Sequence, residues 1–298
     1  MFIALQGIYE PSAIQQLPDG RFLVAEDEKD FPFSLLTIYP DGTTKVEPLV
    51  FDSEDKSVGK LDDLEGLTTN KAGFVYAITS HSRTNKGEEK KSREKLVRFR
   101  VEGNRLSSPR TVFTMKASLV AHHPILAKAA ALTDVKGEGG FNFEGLEFSA
   151  DQQQLMIGFR SPLDAGHALI AVIRNPAAIF ELGAAPDVSP ELIRLDLGGH
   201  GLRGMSWIPS LQGYLLISGP VAKEQTQFHL WFWTGNANEK PRRAEVDGLP
   251  GFEHAEGVTP ALIDGKPMIV VVSDDGSRED GRPARYLILA PEQISLLP

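Results

Sequence analysis

The chain has 298 residues, 41% of them apolar, with 28 Gly, 20 Pro and no Cys. That is ordinary globular composition, which excludes disorder, a disulfide framework and thiolate chemistry, and no apolar run nears the ~18 residues that span a bilayer. A net charge of −9 repels phosphate backbones and anionic lipid, so neither nucleic acid nor a membrane is expected as a partner.

At the start, Met1-Phe2-Ile3-Ala4-Leu5 has no basic region ahead of it and its apolar stretch ends at Gln6. It reads as a strand, not a secretory signal, and a cytoplasmic location is expected. From there a long-period repeat organises the sequence. Its marker occurs as Leu64-Glu65-Gly66-Leu67, Phe143-Glu144-Gly145-Leu146 and Ala255-Glu256-Gly257-Val258. Leu202-Arg203-Gly204-Met205 is a variant with Arg in place of Glu, and Tyr9-Glu10-Pro11 a degenerate first copy, at spacings of 55, 79, 59 and 53 residues.

After each marker come a turn and a strongly β run: Phe22-Leu23-Val24, Val75-Tyr76-Ala77-Ile78, Leu155-Met156-Ile157, Tyr214-Leu215-Leu216-Ile217 and residues 268–272. A third strand follows in all five units (35–39, 96–101, 168–173, 228–233, 286–289). A fourth follows in four of them (45–50, 111–114, 192–197, 244–246). Four-stranded units of this length with Gly, Asp and Asn turns are propeller blades. The expected fold is all-β: one β-propeller over residues 1–298 with five four-stranded blades, a diverged sixth being the alternative. The last unit lacks a fourth strand, and the N-terminal strand is expected to complete it and close the ring.

The long spacing holds an insertion at 115–140, between the second and third blades, with a helix signal over 124–132: Pro at the first position, high Ala content and a Gly stop at Gly137. The segment 81–95, with six Lys or Arg against three Glu and no aromatic residue, reads as a solvated loop. Gly199-His200-Gly201-Leu202-Arg203-Gly204 has dinucleotide-motif spacing but leads into a strand where a helix is required.

Each marker opens an innermost strand, and the β run beside it ends sixteen residues later, at Glu26, His81, Arg160 and Gly219, or two residues late at Asp274. Antiparallel pairing puts both positions at one end of the blade, near the axis. Six of the seven His fall in loops at that end. Glu10, Glu26, Glu65, Glu144, Glu256 and Asp274 then crowd one funnel against Arg160 and Arg203. Carboxylates packed this way protonate, pair, or share a cation. A hard divalent ion, Ca²⁺ first and Mg²⁺ second, on Glu65, Glu144, Glu256 and Asp274 is one solution. The other is local: Glu144 pairs with Arg160, Glu10 or Glu256 pairs with Arg203, and the rest accept backbone N–H groups. Glu65 and His81 read as cross-strand neighbours forming a catalytic general-base pair, with Arg160 and Arg203 holding an anionic group of the ligand.

Leu61-Asp62-Asp63-Leu64-Glu65-Gly66-Leu67-Thr68, Ser80-His81-Ser82-Arg83-Thr84, Asn142-Phe143-Glu144-Gly145-Leu146, Gly158-Phe159-Arg160-Ser161-Pro162 and Ser273-Asp274-Asp275-Gly276 together resemble an uncharacterised bacterial family, a domain of unknown function. The resemblance spans most of the chain and implies no activity. The shorter Asp-Leu-Glu-Gly-Leu-Thr stretch is also similar to esterase-like phytase propellers, which implies calcium-dependent phosphoester chemistry at Glu65. The dense phosphate-binding pattern of that group is not evident here. The expected function is a calcium-dependent hydrolase of a small phosphoester, ester or lactone, acting as a monomer on an anionic or ester ligand at the axial mouth. The alternative is a non-catalytic propeller that binds a ligand or a protein.

Overall fold

In a computed structural model, which describes residues 1–27, 32–51, 58–222, 227–252 and 254–297, the repeats fold into five antiparallel sheets. Blade one is Pro11–Gln16, Phe22–Glu26, Phe33–Ile38 and Thr44–Pro48. Blade two is Leu64–Thr69, Val75–Thr79, Leu96–Glu102 and Arg105–Val112. Blade three is Asn142–Phe148, Leu155–Ser161, Ala168–Ile173 and Ile193–Leu195. Blade four is Gly201–Ile208, Gly213–Gly219, His229–Trp233 and Arg242–Val246. Blade five is Ala255–Ile263, Lys266–Ser273 and Ala284–Leu289, completed by the N-terminal Ile3–Leu5 pairing antiparallel with Ala284–Leu289.

The first strand of each blade packs on the first strand of the next, and blade five returns to blade one, so the ring closes. Five hydrophobic clusters lie one between each pair of adjacent blades. This is why the second strands Phe22–Glu26, Val75–Thr79 and Gly213–Gly219 are buried throughout and largely apolar: both faces meet a neighbouring blade. The protein is a five-bladed β-propeller, and no sixth sheet is present among the described residues.

Three details differ from expectation. The outer strand of blade two is Arg105–Val112 rather than 111–114; its polar, half-exposed sequence carries no apolar signal. Ile294–Leu296 adds a fifth strand to the edge of blade four. The insertion forms three helices, α1 (Met115–His122), α2 (Pro124–Ala131) and α3 (Val135–Glu138), not one. Leu119, Leu126 and Ala129 anchor it in the cluster between blades two and three. A fourth helix, α4 (Pro176–Leu182), fills the long loop of blade three.

The marker has a structural cause. In every first strand the register slips around one residue: Ser12, Glu65, Glu144, Arg203 and Glu256. A bulge leaves that residue unpaired and re-aims its side chain. The next position is Gly in four blades because the following blade comes too close for a side chain. A Cβ on Gly66 would lie 2.8 Å from Leu146 Cβ, one on Gly257 3.0 Å from Ile14 N, and one on Gly204 2.0 Å from Glu256 O. Gly204→Ala therefore forces blades four and five apart and costs roughly 3 kcal/mol, read as a lower midpoint in urea unfolding. An unchanged midpoint contradicts this contact.

Candidate functional site

The five bulged residues converge on the axis. Above them opens a cavity of ≈ 340 Å³ lined by six carboxylates and four arginines. Below them, where Leu67, Leu146, Met205 and Val258 meet, only ≈ 10 Å³ remains, room for about one water. The mouth is thus a blind funnel. Its floor is Ser12, Glu65, Glu144, Arg203 and Glu256; its walls include Asp27, Asp63, Arg83, Arg93, Arg160, Phe228, His254 and Asp274. Val135 brings α3 to the rim.

The floor's central cation is Arg203, buried, whose Nη1 donates at 2.8 Å to Glu144 Oε2 and at 2.8 Å to Glu256 Oε1. Phe228 covers the guanidinium at 5.2 Å. Arg160 Nη1 donates to Glu144 Oε1 at 3.1 Å and its Nε to Pro220 O at 3.1 Å. Glu144, which also accepts from Asn142 Nδ2, is therefore held between two guanidiniums. Both arginines assigned from the sequence to an anionic ligand are committed to carboxylates. Local pairing is what the structure shows for Glu144 with Arg160 and for Glu256 with Arg203.

Glu65 differs from its neighbours. It lines both the mouth and the channel below and has no hydrogen bond or ion pair among the described residues. Burial, then the charges of Glu144, Asp63, Glu256 and Asp27, push its carboxyl well above the usual range. Burial outweighs Arg203 at Glu256, which is also raised. Asp27 and Asp274 occupy matching places: the N–H of each donates to the backbone carbonyl of a residue just ahead of the first strand, Glu10 O and His254 O respectively. Neither side chain has a partner among the described residues, and each is pushed up to about 7, chiefly by desolvation. Asp63 is satisfied, accepting from Ser80 and Ser82 and pairing with Arg93 at 2.9 Å.

His81 is not at the mouth and does not pair with Glu65. The slip at Glu65 pairs Leu64 with Thr79 and Gly66 with Ile78, so Glu65 has no cross-strand neighbour. His81 is fully buried, its Nδ1 on Thr79 O at 2.8 Å and its ring 4.7 Å from Phe143, and Nε2 has no partner. Burial pushes it down to about 3, which keeps it neutral. Two expected carboxylates also lie elsewhere. Glu26 is buried inside blade one, accepting from Tyr9 N and Ser34 Oγ, and Glu10 does not line the cavity. The blade-one counterpart of Glu65 is Ser12.

Of the four residues assigned to calcium, Glu65, Glu144, Glu256 and Asp274 all line the mouth, but two of them are on Arg203. Among the described residues no three His, Asp or Glu side chains stand together as a metal site requires. Among the lining residues missed were Ser12, Asp27, Asp63, Arg83, Arg93 and Phe228. Asp27 was signalled by lying at the same step past its second strand as Asp274. The 81–95 loop is a wall of the mouth rather than a free basic face: Arg83 pairs with Glu89, and Lys95 Nζ donates to Val58 O and Lys60 O. Among the described residues no helix is long and apolar enough to cross a membrane.

Residues 115–289 match a family described as "Protein of unknown function (DUF3616)". No curated protein matches the chain. Among solved structures it is similar to a GH43 β-1,3-galactosidase with galactodeoxynojirimycin, at 11% identity over 99% of this chain and 98% of that one (TM-score 0.53). It is also similar to a putative oxidoreductase (glucose dehydrogenase) from Thermus thermophilus, at 16% identity over 97% and 99% (TM-score 0.49). A third is the major Malassezia sympodialis allergen Mala s 1, at 10% identity over 95% and 79% (TM-score 0.45). Identities this low bear on fold alone.

Proposed function

The chain belongs to the DUF3616 family, whose description assigns no activity, and from the geometry of the mouth we propose that the propeller binds a small cation there, with Glu65 as the group that meets it. The observation that carries this reading is the unpartnered carboxyl of Glu65 on the axis, beneath the equally unpartnered Asp27 and Asp274. A cation arriving among them relieves their mutual repulsion, whereas an anion finds Arg160 and Arg203 already neutralised. A protonated amine or a hydrated Ca²⁺ answers this distribution, because neither demands a tight cage of three protein ligands.

Thermal shift and calorimetric titration with CaCl₂ and, separately, with ethylammonium chloride test it. Binding of either at pH 8 with a raised Tm, abolished in Glu65→Gln, is the expected result. No shift with either cation, or an undiminished shift in Glu65→Gln, overturns it.

Hydrolysis of a small ester or lactone is a second reading, and the raised pKa of Glu65 favours it. A carboxyl that burial and neighbouring carboxylates hold above its ordinary range is the kind of group that serves as a general acid. The role assigned to His81 passes in that reading to Asp274 or Asp27. Turnover in an ester and lactone screen that is lost in Glu65→Gln with the fold intact would select it.

A further inference from the structure

Outside the axial mouth, the strongest unassigned feature is a groove of ≈ 320 Å³ on blade four, bounded by the connection to blade five at 247–252 and separated from the mouth by Phe228, which lines both. We propose that this groove is a second ligand site and that it takes a zwitterionic amino acid with an apolar side chain.

Arg243 supplies the anion end. Its Nη2 donates at 2.6 Å to Nδ1 of His229, and its guanidinium lies 5.7 Å from the ring of Trp231. It forms no ion pair among the described residues. A guanidinium always carries its charge, and a neutral imidazole acceptor leaves that charge uncancelled. His229 is kept neutral, pushed down to about 4 by burial, Arg243 and His200. The result is a planar fork fixed by a ring acceptor and an indole face, with donors to spare for a carboxylate.

Glu245 and Asp247 supply the other end. Both line the groove, both are exposed, and neither is bonded to Arg243 or to any other described side chain. Glu245 follows Arg243 by two residues on one strand, so the two share a face. Opposite charges that share a face without pairing suit a ligand carrying both signs. Leu249, Pro250 and Phe252 form the apolar wall, which favours a branched aliphatic side chain over a polar one.

Calorimetric titration of the full chain with L-leucine tests this, alongside leucinamide, which lacks the carboxylate, and 4-methylpentanoate, which lacks the ammonium. Leucine binds, and both analogues bind at least about tenfold more weakly. Arg243→Gln weakens leucine by a similar factor, and Arg243→Lys, which keeps the charge but loses the fork, falls between. If Arg243→Gln does not fold, Glu245→Gln combined with Asp247→Asn reads the ammonium end instead. No leucine binding at millimolar concentration overturns the proposal, as does leucinamide binding as tightly as leucine or variants binding as tightly as the parent. Glu65→Gln leaves leucine affinity unchanged, which separates this site from the mouth.

Discussion

Arg203→Met lowers the melting temperature by on the order of 10 °C. Arg203 stands on the first strand of blade four and reaches Glu144 of blade three and Glu256 of blade five, so it ties three blades at their point of closest approach. Two features separate it from a surface ion pair of small value. Its side chain is about nine-tenths buried, as are both acceptors, and Phe228 covers it. Breaking such a pair strands buried acceptors and costs about 3–5 kcal/mol. Its removal also leaves the repulsion around Glu65 unopposed, since Arg203 is the one cation among the five bulged residues.

The measurement is a scanning-calorimetry melt of the variant beside Arg203→Met/Glu256→Gln. The second substitution removes a stranded acceptor and recovers part of the loss, a coupling that a double-mutant cycle isolates. A drop of less than about 2 °C, or purely additive effects, means that Arg203 contributes no more than a surface pair.

Much of this arrangement was legible in the sequence. Gly after the marker residue is required by the approach of the next blade, so it recurs wherever that approach does, and the repeat counts blades directly. The Glu in front of it recurs because a bulge aims that position at the axis. The first copy was read two residues out of register, at Glu10 where the bulge falls on Ser12. Pro11-Ser12-Ala13 has neither Glu nor Gly, while Glu10 nearby imitates the marker. The corresponding bulge of blade two defeated the Glu65–His81 pairing, since the extra residue leaves Glu65 without a cross-strand partner, and His81 lies buried against Phe143 of blade three. Edge elements were the least legible. Ile294–Leu296 and the polar outer strand of blade two are set by what they lie against, not by their own apolar pattern. Local pairing of Glu144 with Arg160 and of Glu10 or Glu256 with Arg203 was foreseen as one of two solutions, whereas the sharing of Arg203 by Glu144 and Glu256 was not. Charge composition alone does not choose between them, because a funnel with Arg203 at its centre and one without differ only in where one side chain turns.

Wild-type stability decreases as pH rises from 4 to 8, and Asp274→Asn removes part of that decrease. The carboxyl of Asp274 is pushed from an ordinary 3.8 to about 7 by burial and then by Glu10, with Glu144 and Asp275 adding to it and Arg203 opposing. Between those two values the folded chain holds a proton that the unfolded chain has released. Stability therefore falls with pH, since it rises only where the unfolded state binds more protons. The contribution is complete below pH 4 and is lost as pH passes through 7, the reverse of a carboxylate held by a salt bridge. Asp27, also raised to about 7, and Glu65, raised well above its ordinary value, act in the same direction. Asn cannot ionise, so the variant matches wild type at pH 4 and exceeds it at pH 8 by about 1–2 kcal/mol once solvent screening of a partly exposed group is allowed for. Urea unfolding at the two pH values measures the difference, and parallel pH profiles for the two proteins would refute it. The same repulsion gives an arriving cation its advantage. Calcium or an alkylammonium ion at pH 8 restores more stability to the wild type than to Asp274→Asn, and an equal gain in both proteins would place the cation away from this wall of the funnel.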